Sequence, residues 1–218
     1  MTTANALSLP AEPGPPAKPL PGFEHIRRFW DKQHGSYAAR LLPGEYFVTA
    51  RDEMITTVLG SCISACIRDP VFGIGGMNHF MLPDGGAHDS WQDDHVSAAT
   101  RYGSFAMEHL INTILKNGGR RDKLEIKIFG GGRVLAAMTD VGRRNIEFVH
   151  HYLRTEGLRV NAEDVGDVYP RKVIYFPARG RVLVKKLHSI DKAKLIQRET
   201  RYLRDLAQQP AAGEIELF

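Results

Sequence analysis

The sequence predicts a single domain of the α+β class. The chain has 218 residues, of which 43% are hydrophobic and 25% charged, which is enough apolar surface to bury one core. Its strand-like segments come in groups with helical segments inserted between the groups, unlike the strict alternation of doubly wound sheets. Turn-forming sequences such as Asp69-Pro70 and several runs of glycine separate these segments.

Strands are predicted where short apolar or alternating segments lie between turn residues. A bend at Gly60-Ser61 separates two of them, and His79 lies on the strand after the second. The last two segments are spaced as a hairpin. The predicted strands are 45–49, 55–59, 63–67, 73–82, 124–129, 158–162, 172–176 and 180–186.

Helices are predicted from apolar spacing and from the glycines that end them. The spacing of Phe23, Ile26, Phe29 and Trp30 predicts a short helix that docks on the domain. The segment 100–116 is amphipathic and ends at Asn117-Gly118-Gly119. Further helices are predicted at 145–155, before Gly157, and at 190–206, where the helix is expected to be exposed.

The two ends of the chain differ in composition from the middle. Residues 1–22 hold six of the twelve prolines, so they predict a flexible leader that forms neither helix nor sheet. Residues 23–190 are predicted to form the domain, and residues 191–218 a helical or extended tail. The alternation in 213–218 is compatible with a strand added to a sheet edge.

Composition and charge argue against several classes of protein. No apolar run is long enough to span a bilayer, and two cysteines do not make a disulfide framework, so a protein of the reducing cytoplasm without membrane insertion is expected. The net charge is only +4. Residues 171–204 hold eleven Lys and Arg against Asp191 and Glu199, but they lack the aromatic pattern of a nucleic-acid interface, so no nucleic-acid partner is predicted.

Cys62 and His79 are the candidate catalytic residues. Cys62 follows the Gly60-Ser61 bend, and His79 comes seventeen residues later (79 − 62) on a strand-like segment. A base lowers the pKa of a thiol and makes it a nucleophile, and N–H groups of a bend can hold an oxyanion. This pattern indicates acyl transfer, although a cysteine and a histidine of the core would show the same spacing.

Other sequence features fit a catalytic or ligand site less well. Cys66 is expected to pack in the core, because no partner cysteines stand at zinc spacing. The loop residues His88, Asp89, Asp93, Asp94 and His95 are the candidate metal ligands, but they lack a helical frame, and no metal or other cofactor is predicted. The run Gly130 to Gly132 lacks the Lys-Ser/Thr of a phosphate loop and predicts a tight turn beside the cleft.

Several motifs together resemble the CheD family of chemoreceptor glutamine deamidases. They follow the family order over residues 40–187, and the Gly-Ser-Cys block with a histidine seventeen residues later is the most specific of them. The motifs are Leu-Pro-Gly-Glu-Tyr at 42–46, Thr-Thr-Val-Leu-Gly-Ser-Cys at 56–62, Arg-Asp-Pro at 68–70, Asn-His-Phe-Met-Leu-Pro at 78–83, Arg-Tyr-Gly at 101–103, Ile-Phe-Gly-Gly at 128–131 and Val-Gly-x-Arg-Asn at 141–145.

The resemblance implies a fold, a reaction and a set of site residues. The fold would be a β-sandwich-like core of mixed sheets flanked by helices, and the reaction the conversion of receptor glutamines to glutamate with release of ammonia. Cys62, His79 and Thr56 would form a Cys-His-Thr triad, with Thr57 adjacent to the third position. Gly60 and Ser61 would form the turn that holds the oxyanion.

The implied partners are the cytoplasmic regions of methyl-accepting chemotaxis receptors and a CheC-type phosphatase. One alternative is an adaptor that mainly docks on these partners. Another is a peptidase or transglutaminase that uses the same thiol, and the reaction product distinguishes the two enzymes from a deamidase.

Overall fold

Two mixed five-stranded sheets form the framework. The structure is a computed structural model that describes residues 14–83, 98–134, 141–187 and 192–208. Within these ranges the elements are β1 (Arg27–Asp31), β2 (Ser36–Arg40), β3 (Tyr46–Thr49), β4 (Met54–Leu59), β5 (Ile63–Asp69), β6 (Ile74–Asn78), α1 (Ala98–Lys116), β7 (Glu125–Gly130), α2 (Val141–Thr155), β8 (Val160–Val165), β9 (Arg171–Phe176), β10 (Arg181–Lys186) and α3 (Lys192–Gln208).

The first sheet has the strand order β1-β2-β4-β9-β10, and the second has the order β3-β6-β5-β7-β8. Most neighbouring strands are antiparallel, but β2 pairs with β4 and β7 pairs with β8 in parallel. The predicted α+β class with mixed sheets flanked by helices is therefore confirmed, as is the β9–β10 hairpin.

Apolar side chains from both sheets meet in one core. Ile55 and Val173 come from the first sheet and Ile63, Ile67 and Ile128 from the second, and all five are completely buried. Helix α1 packs against β3, β5 and β6 of the second sheet. Burial of these faces is the main source of stability, since helices and sheets of this length need a partner surface.

The helix predicted at residues 23–30 is wrong. Phe23 and Ile26 enter the core from an irregular segment, and the chain then forms β1, which pairs with β2. Trp30 stands opposite Tyr37, with ring centroids 5.2 Å apart. The three-residue spacing of Phe23, Ile26 and Phe29 resembles that of a helix, but it spans the junction between a turn and a strand.

The other boundary differences are small. Helix α2 begins at Val141, four residues before the prediction, and α3 covers the predicted helical tail. However, the prediction that this last helix is exposed is wrong, because Leu195, Glu199, Leu203 and Leu206 are buried. Among the described residues no helix is long and apolar enough to cross a membrane. The segment 213–218 lies outside the described residues.

Candidate active site

Cys62 lies at the end of a three-residue connection between the two sheets. Strand β4 of the first sheet ends at Leu59, and β5 of the second begins at Ile63. The backbone carbonyls of Gly60 and Cys62 accept hydrogen bonds from the N–H groups of Gly132 and Gly131, each at 2.8 Å. The bend is therefore fixed on both sides through its carbonyl groups, and these bonds use none of its own N–H groups.

The glycine run 130–132 has a steric role in this bend. Gly130 has φ of +112°, and a Cβ there would lie 2.3 Å from the carbonyl oxygen of Cys62. Only glycine tolerates both the positive φ and this close approach. The run therefore packs directly against the backbone of the bend.

Strand pairing places Cys62 and His79 on the same face. Ile63 and Phe80 exchange backbone hydrogen bonds of 2.9 and 3.0 Å as an antiparallel bridge. Cys62 and His79 each precede one of these residues, so their side chains lie at diagonal positions of the pair. Both residues are completely buried.

The hydrogen bonds of His79 determine which ring nitrogen carries a proton. The Thr57 hydroxyl lies 2.9 Å from the Leu41 carbonyl, which can only accept, and 2.7 Å from His79 Nδ1. Since the hydroxyl donates to the carbonyl, Nδ1 must carry a proton and donate to Thr57 Oγ1. Nε2 is then unprotonated, and it has no hydrogen-bond partner among the described residues. This tautomer is the one that a general base needs.

Thr56 makes a different contact from its neighbour. Its hydroxyl donates to the carbonyl oxygen of Val173 on β9 at 3.0 Å, while Thr57 contacts the imidazole. Successive residues of a strand point to opposite faces, so both threonines cannot reach His79. The structure joins His79 to Thr57, sets Cys62 diagonally opposite His79 across the bridge, and places the Thr56 side chain toward the neighbouring strand.

Burial keeps the thiol and the imidazole neutral. Burial, followed by the positive charge of Arg198, lowers the pKa of His79 to about 3. Burial also raises the pKa of Cys62 well above its usual value, and the carboxylate of Glu199 raises it further by charge and by hydrogen bonding. In this state the site therefore holds a neutral thiol and a neutral imidazole, and no hydrogen bond joins Nε2 of His79 to the thiol of Cys62.

Glu199 of α3 occupies the N–H groups of the bend. Its carboxylate accepts hydrogen bonds from the N–H groups of Gly60 at 2.8 Å and Ser61 at 2.9 Å, and from the Ser61 hydroxyl at 2.7 Å. The N–H of Cys62 is 3.5 Å from the same carboxylate. Glu199 has no exposed surface. Donors of Gly60 and Ser61, which the sequence predicts to hold an oxyanion, thus hold a side-chain carboxylate in this structure.

Asn145 of α2 ties the bend to the segment after His79. Its amide nitrogen donates to the Ser61 carbonyl at 2.8 Å, and its side-chain oxygen accepts from the Leu82 N–H at 2.9 Å. Asn145 is completely buried, so both contacts lie in a low-dielectric interior where each is strong. It positions the two chain segments that carry the thiol and the imidazole.

The second cysteine lies away from the bend. Cys66 is buried on β5 and pairs with Lys127 of β7 and Met77 of β6, as expected for a core residue. The metal candidates between His88 and His95 fall outside the described residues. Across the described ranges, no group of three or more His, Cys, Asp or Glu is placed to hold a metal ion.

Sequence reasoning missed Glu199 and the role of Asn145. A signal for Glu199 was present, since Leu195, Glu199 and Leu203 are spaced by four residues and share one face of a helix. A carboxylate in the middle of an apolar stripe needs a partner. Asn145 belongs to one of the motifs, but no local pattern indicates that its amide reaches Ser61.

Comparisons with known proteins place the chain in a family. A family model described as CheD chemotactic sensory transduction matches residues 81–186, which follow Cys62 and His79 in the chain. Among solved structures, the crystal structure of the Bacillus licheniformis hypothetical protein YfiH aligns with 57% of this chain and 49% of its own chain. The TM-score of 0.36 and the identity of 11% are too low to indicate a shared fold or function.

Full-length relatives extend the match across Cys62 and His79. A Halorhodospira halophila protein named "Probable chemoreceptor glutamine deamidase CheD" is 56% identical over 91% of this chain and 93% of its own length. A Hahella chejuensis protein of the same name is 50% identical over 95% of this chain and 97% of its own length. A third, from Saccharophagus degradans, is 52% identical over 91% of this chain and 93% of its own length. At this identity and coverage, the chain belongs to the CheD family.

Proposed function

We propose that this protein is a protein-glutamine deamidase that acts on the cytoplasmic regions of methyl-accepting chemotaxis receptors in the cytoplasm. It converts glutamine side chains to glutamate and releases ammonia. The relatives are named chemoreceptor glutamine deamidases, which supports the substrate class. We place this activity in residues 23–190, with the leader 1–22 and the tail 191–218 outside it.

The observation that carries the proposal is the contact of the Thr57 hydroxyl with Nδ1 of His79, which leaves Nε2 without a partner among the described residues, on the face that also holds Cys62. A thiol, a neutral imidazole held in one tautomer and a group of N–H donors are the parts that thiol acyl transfer needs. Thr57, rather than Thr56, takes the orienting role in this proposal because its hydroxyl contacts the ring.

The first half of the reaction forms a thioester. His79 Nε2 accepts the proton of Cys62, and the thiolate attacks the side-chain carbonyl carbon of the substrate glutamine. The oxyanion of the tetrahedral intermediate accepts hydrogen bonds from the N–H groups of Ser61 and Cys62. The imidazolium then gives its proton to the leaving nitrogen, the C–N bond breaks, and ammonia departs.

The second half hydrolyses the thioester. Nε2 accepts a proton from a water molecule while the water oxygen attacks the thioester carbonyl. The C–S bond breaks, Cys62 regains its proton from the imidazolium, and the glutamate side chain leaves. The sum is one amide and one water converted to a carboxylate and ammonium.

The test is mass spectrometry of a receptor cytoplasmic fragment incubated with the protein. We expect specific glutamines to become glutamates, with one heavy oxygen incorporated when the reaction runs in heavy-oxygen water. Cys62→Ala should abolish the conversion. Cys66→Ala is the matched control, because this second buried cysteine lies on β5 away from the bend, and it should keep most of the activity.

Other products would indicate other functions. A cleaved receptor chain would indicate a peptidase, and an isopeptide bond a transglutaminase. If neither the wild type nor Cys62→Ala converts glutamine while both bind the fragment, the deamidase proposal is wrong. The protein would then act by docking on receptors or on a CheC-type phosphatase.

A further inference from the structure

Helix α3 covers the bend that carries Cys62. Its buried side chains Leu195, Leu203 and Leu206 face the body of the protein, and the hydroxyl groups of Tyr202 and Tyr102 form a hydrogen bond that joins α3 to α1. Arg198 Nη2 also donates to the Val58 carbonyl on β4 at 3.1 Å. The helix is therefore seated directly over the β4–β5 connection.

The group that α3 inserts is chemically the reaction product. Glu199 presents a side-chain carboxylate, the group left on a substrate after deamidation of glutamine. Three donors from Gly60 and Ser61 hold it, and these donors come from the bend that we expect to bind the oxyanion. A carboxylate oxygen and the oxygen of a tetrahedral intermediate are both anionic acceptors, so one set of donors can bind either.

The carboxylate of Glu199 lies tightly against the backbone of the bend. A Cβ placed on Gly60 would lie 2.7 and 2.8 Å from the two carboxylate oxygens of Glu199. Glu199 and Cys62 are both completely buried, so a substrate cannot contact the thiol while the helix stays in place. The negative charge also opposes ionisation of the thiol, since like charges at short range disfavour one another.

We propose that α3 is an intramolecular product mimic: Glu199 occupies the acyl site, and α3 must leave before a receptor segment can bind. This inference rests on the proposed function, because it takes the Gly60–Cys62 bend as the site of glutamine conversion. Release of α3 uncovers Cys62 and the N–H donors together. The tail thereby couples access to the site with activation of the thiol.

The first test asks whether the position of Glu199 is the position of a substrate. In the Glu199→Gln variant the introduced side chain is a substrate amide beside Cys62, whose carbonyl oxygen can still accept from the bend although its nitrogen cannot. We expect it to be converted to glutamate within the same molecule, detected by mass spectrometry of peptides cut by a protease that does not cleave at arginine. Dilution should not change the fraction converted per unit time. The matched control is the double variant Glu199→Gln with Cys62→Ala, which should retain its glutamine.

The second test does not require deamidase activity. Alkylation of Cys62 by iodoacetamide should be at least roughly tenfold faster in Glu199→Ala than in the wild type, because each unit of pKa changes the thiolate fraction about tenfold. Asp205→Ala is the control, since Asp205 is an exposed carboxylate on the same helix. It should react at the wild-type rate. Circular dichroism of each variant establishes that the sheets remain folded.

The two tests separate the inference from the proposed function. If the receptor fragment is deamidated but the introduced glutamine persists and Cys62 alkylation is unchanged, α3 is a permanent part of the fold and the inference is wrong. If alkylation accelerates but no glutamine is converted in cis or in the receptor, α3 covers the thiol and the deamidase proposal fails instead. Faster deamidation of the receptor fragment by Glu199→Ala than by the wild type supports both.

Discussion

At the scale of single residues, one hydroxyl determines how His79 can act. Thr57 donates to the Leu41 carbonyl and accepts from Nδ1, and this pair of contacts leaves Nε2 unprotonated. An imidazole in the other tautomer would present a proton to the thiol and could not act as its base. The orientation of the ring therefore depends on Thr57, whereas the hydroxyl of the adjacent Thr56 binds the neighbouring strand β9.

Replacement of the two threonines should separate these roles. Thr57→Val removes the acceptor for Nδ1–H, so we expect kcat to fall at least roughly tenfold, while Thr57→Ser should restore most of it. Thr56→Val removes the bond to the Val173 carbonyl, so it should lower stability by about 1 kcal/mol and leave kcat close to the wild-type value. Steady-state ammonia release and urea unfolding of the three variants are the measurements. A large loss of kcat in Thr56→Val with normal activity in Thr57→Val would contradict this assignment.

The buried imidazole should also make folding sensitive to acid. Burial lowers the pKa of His79 from 6.5 to about 3, so below pH 6.5 the unfolded chain binds a proton that the folded chain does not. The contribution of His79 to stability is then present above pH 6.5 and is lost as the pH falls toward 3, by up to about 1.4 kcal/mol per pH unit.

His79→Gln isolates this contribution from that of the carboxylates. The difference in the free energy of unfolding between wild type and variant, measured by urea at several pH values, should shrink as the pH falls from 6.5. A wild-type minus His79→Gln difference that is constant across this range would show that the imidazole titrates normally.

At the scale of elements, alanine substitution should have different effects at two glycines that both have positive φ, Gly130 and Gly157. Gly130→Ala combines backbone strain at φ of +112° with a Cβ 2.3 Å from the Cys62 carbonyl, so we expect a loss of more than about 2 kcal/mol and a large loss of activity. Gly157→Ala has φ of +66° and no atom within 4 Å of the added Cβ, so only strain of about 1 kcal/mol applies. Thermal unfolding and ammonia release of both variants test this, and equal losses would mean that the contact with the bend is unimportant.

Local sequence patterns predict most of the elements but not the contacts between distant parts of the chain. The cores of β3 to β10 and of α1 and α2 follow from local apolar patterns, and Cys62 and His79 follow from a bend and a strand that are close in the chain. The β1–β2 hairpin was missed because the spacing of Phe23, Ile26 and Phe29 resembles a helix. Glu199 was missed because its partners, Gly60 and Ser61, lie almost 140 residues away, and no local pattern encodes that contact.

At the scale of the whole molecule, α3 differs from the other two helices in what holds it. Helix α1 packs on three strands of the second sheet, and Asn145 of α2 is tied to the Cys62 bend. Leu203 of α3 belongs to the main core cluster and Tyr202 packs against it, while among the described residues the helix otherwise rests on Leu195, Leu206 and polar contacts. Elements with fewer buried contacts open at lower free energy than the core. The part of the molecule that covers the thiol is therefore the part that can leave with least effect on the sheets.

Native-state hydrogen exchange should detect this difference. We expect the amides of α3 to exchange by local opening, at a free energy below that of global unfolding, while the amides of β4 and β5 exchange only on global unfolding. Glu199→Ala removes the bonds to Gly60 and Ser61, so it should accelerate exchange in α3 and in the bend but leave β9 and β7 unchanged. Asp205→Ala should alter neither. If α3 in the wild type is as protected as β5, the helix does not open independently. A receptor glutamine could then reach Cys62 only when the whole domain unfolds. Because both sheets pack against one core, such unfolding is too infrequent to support turnover.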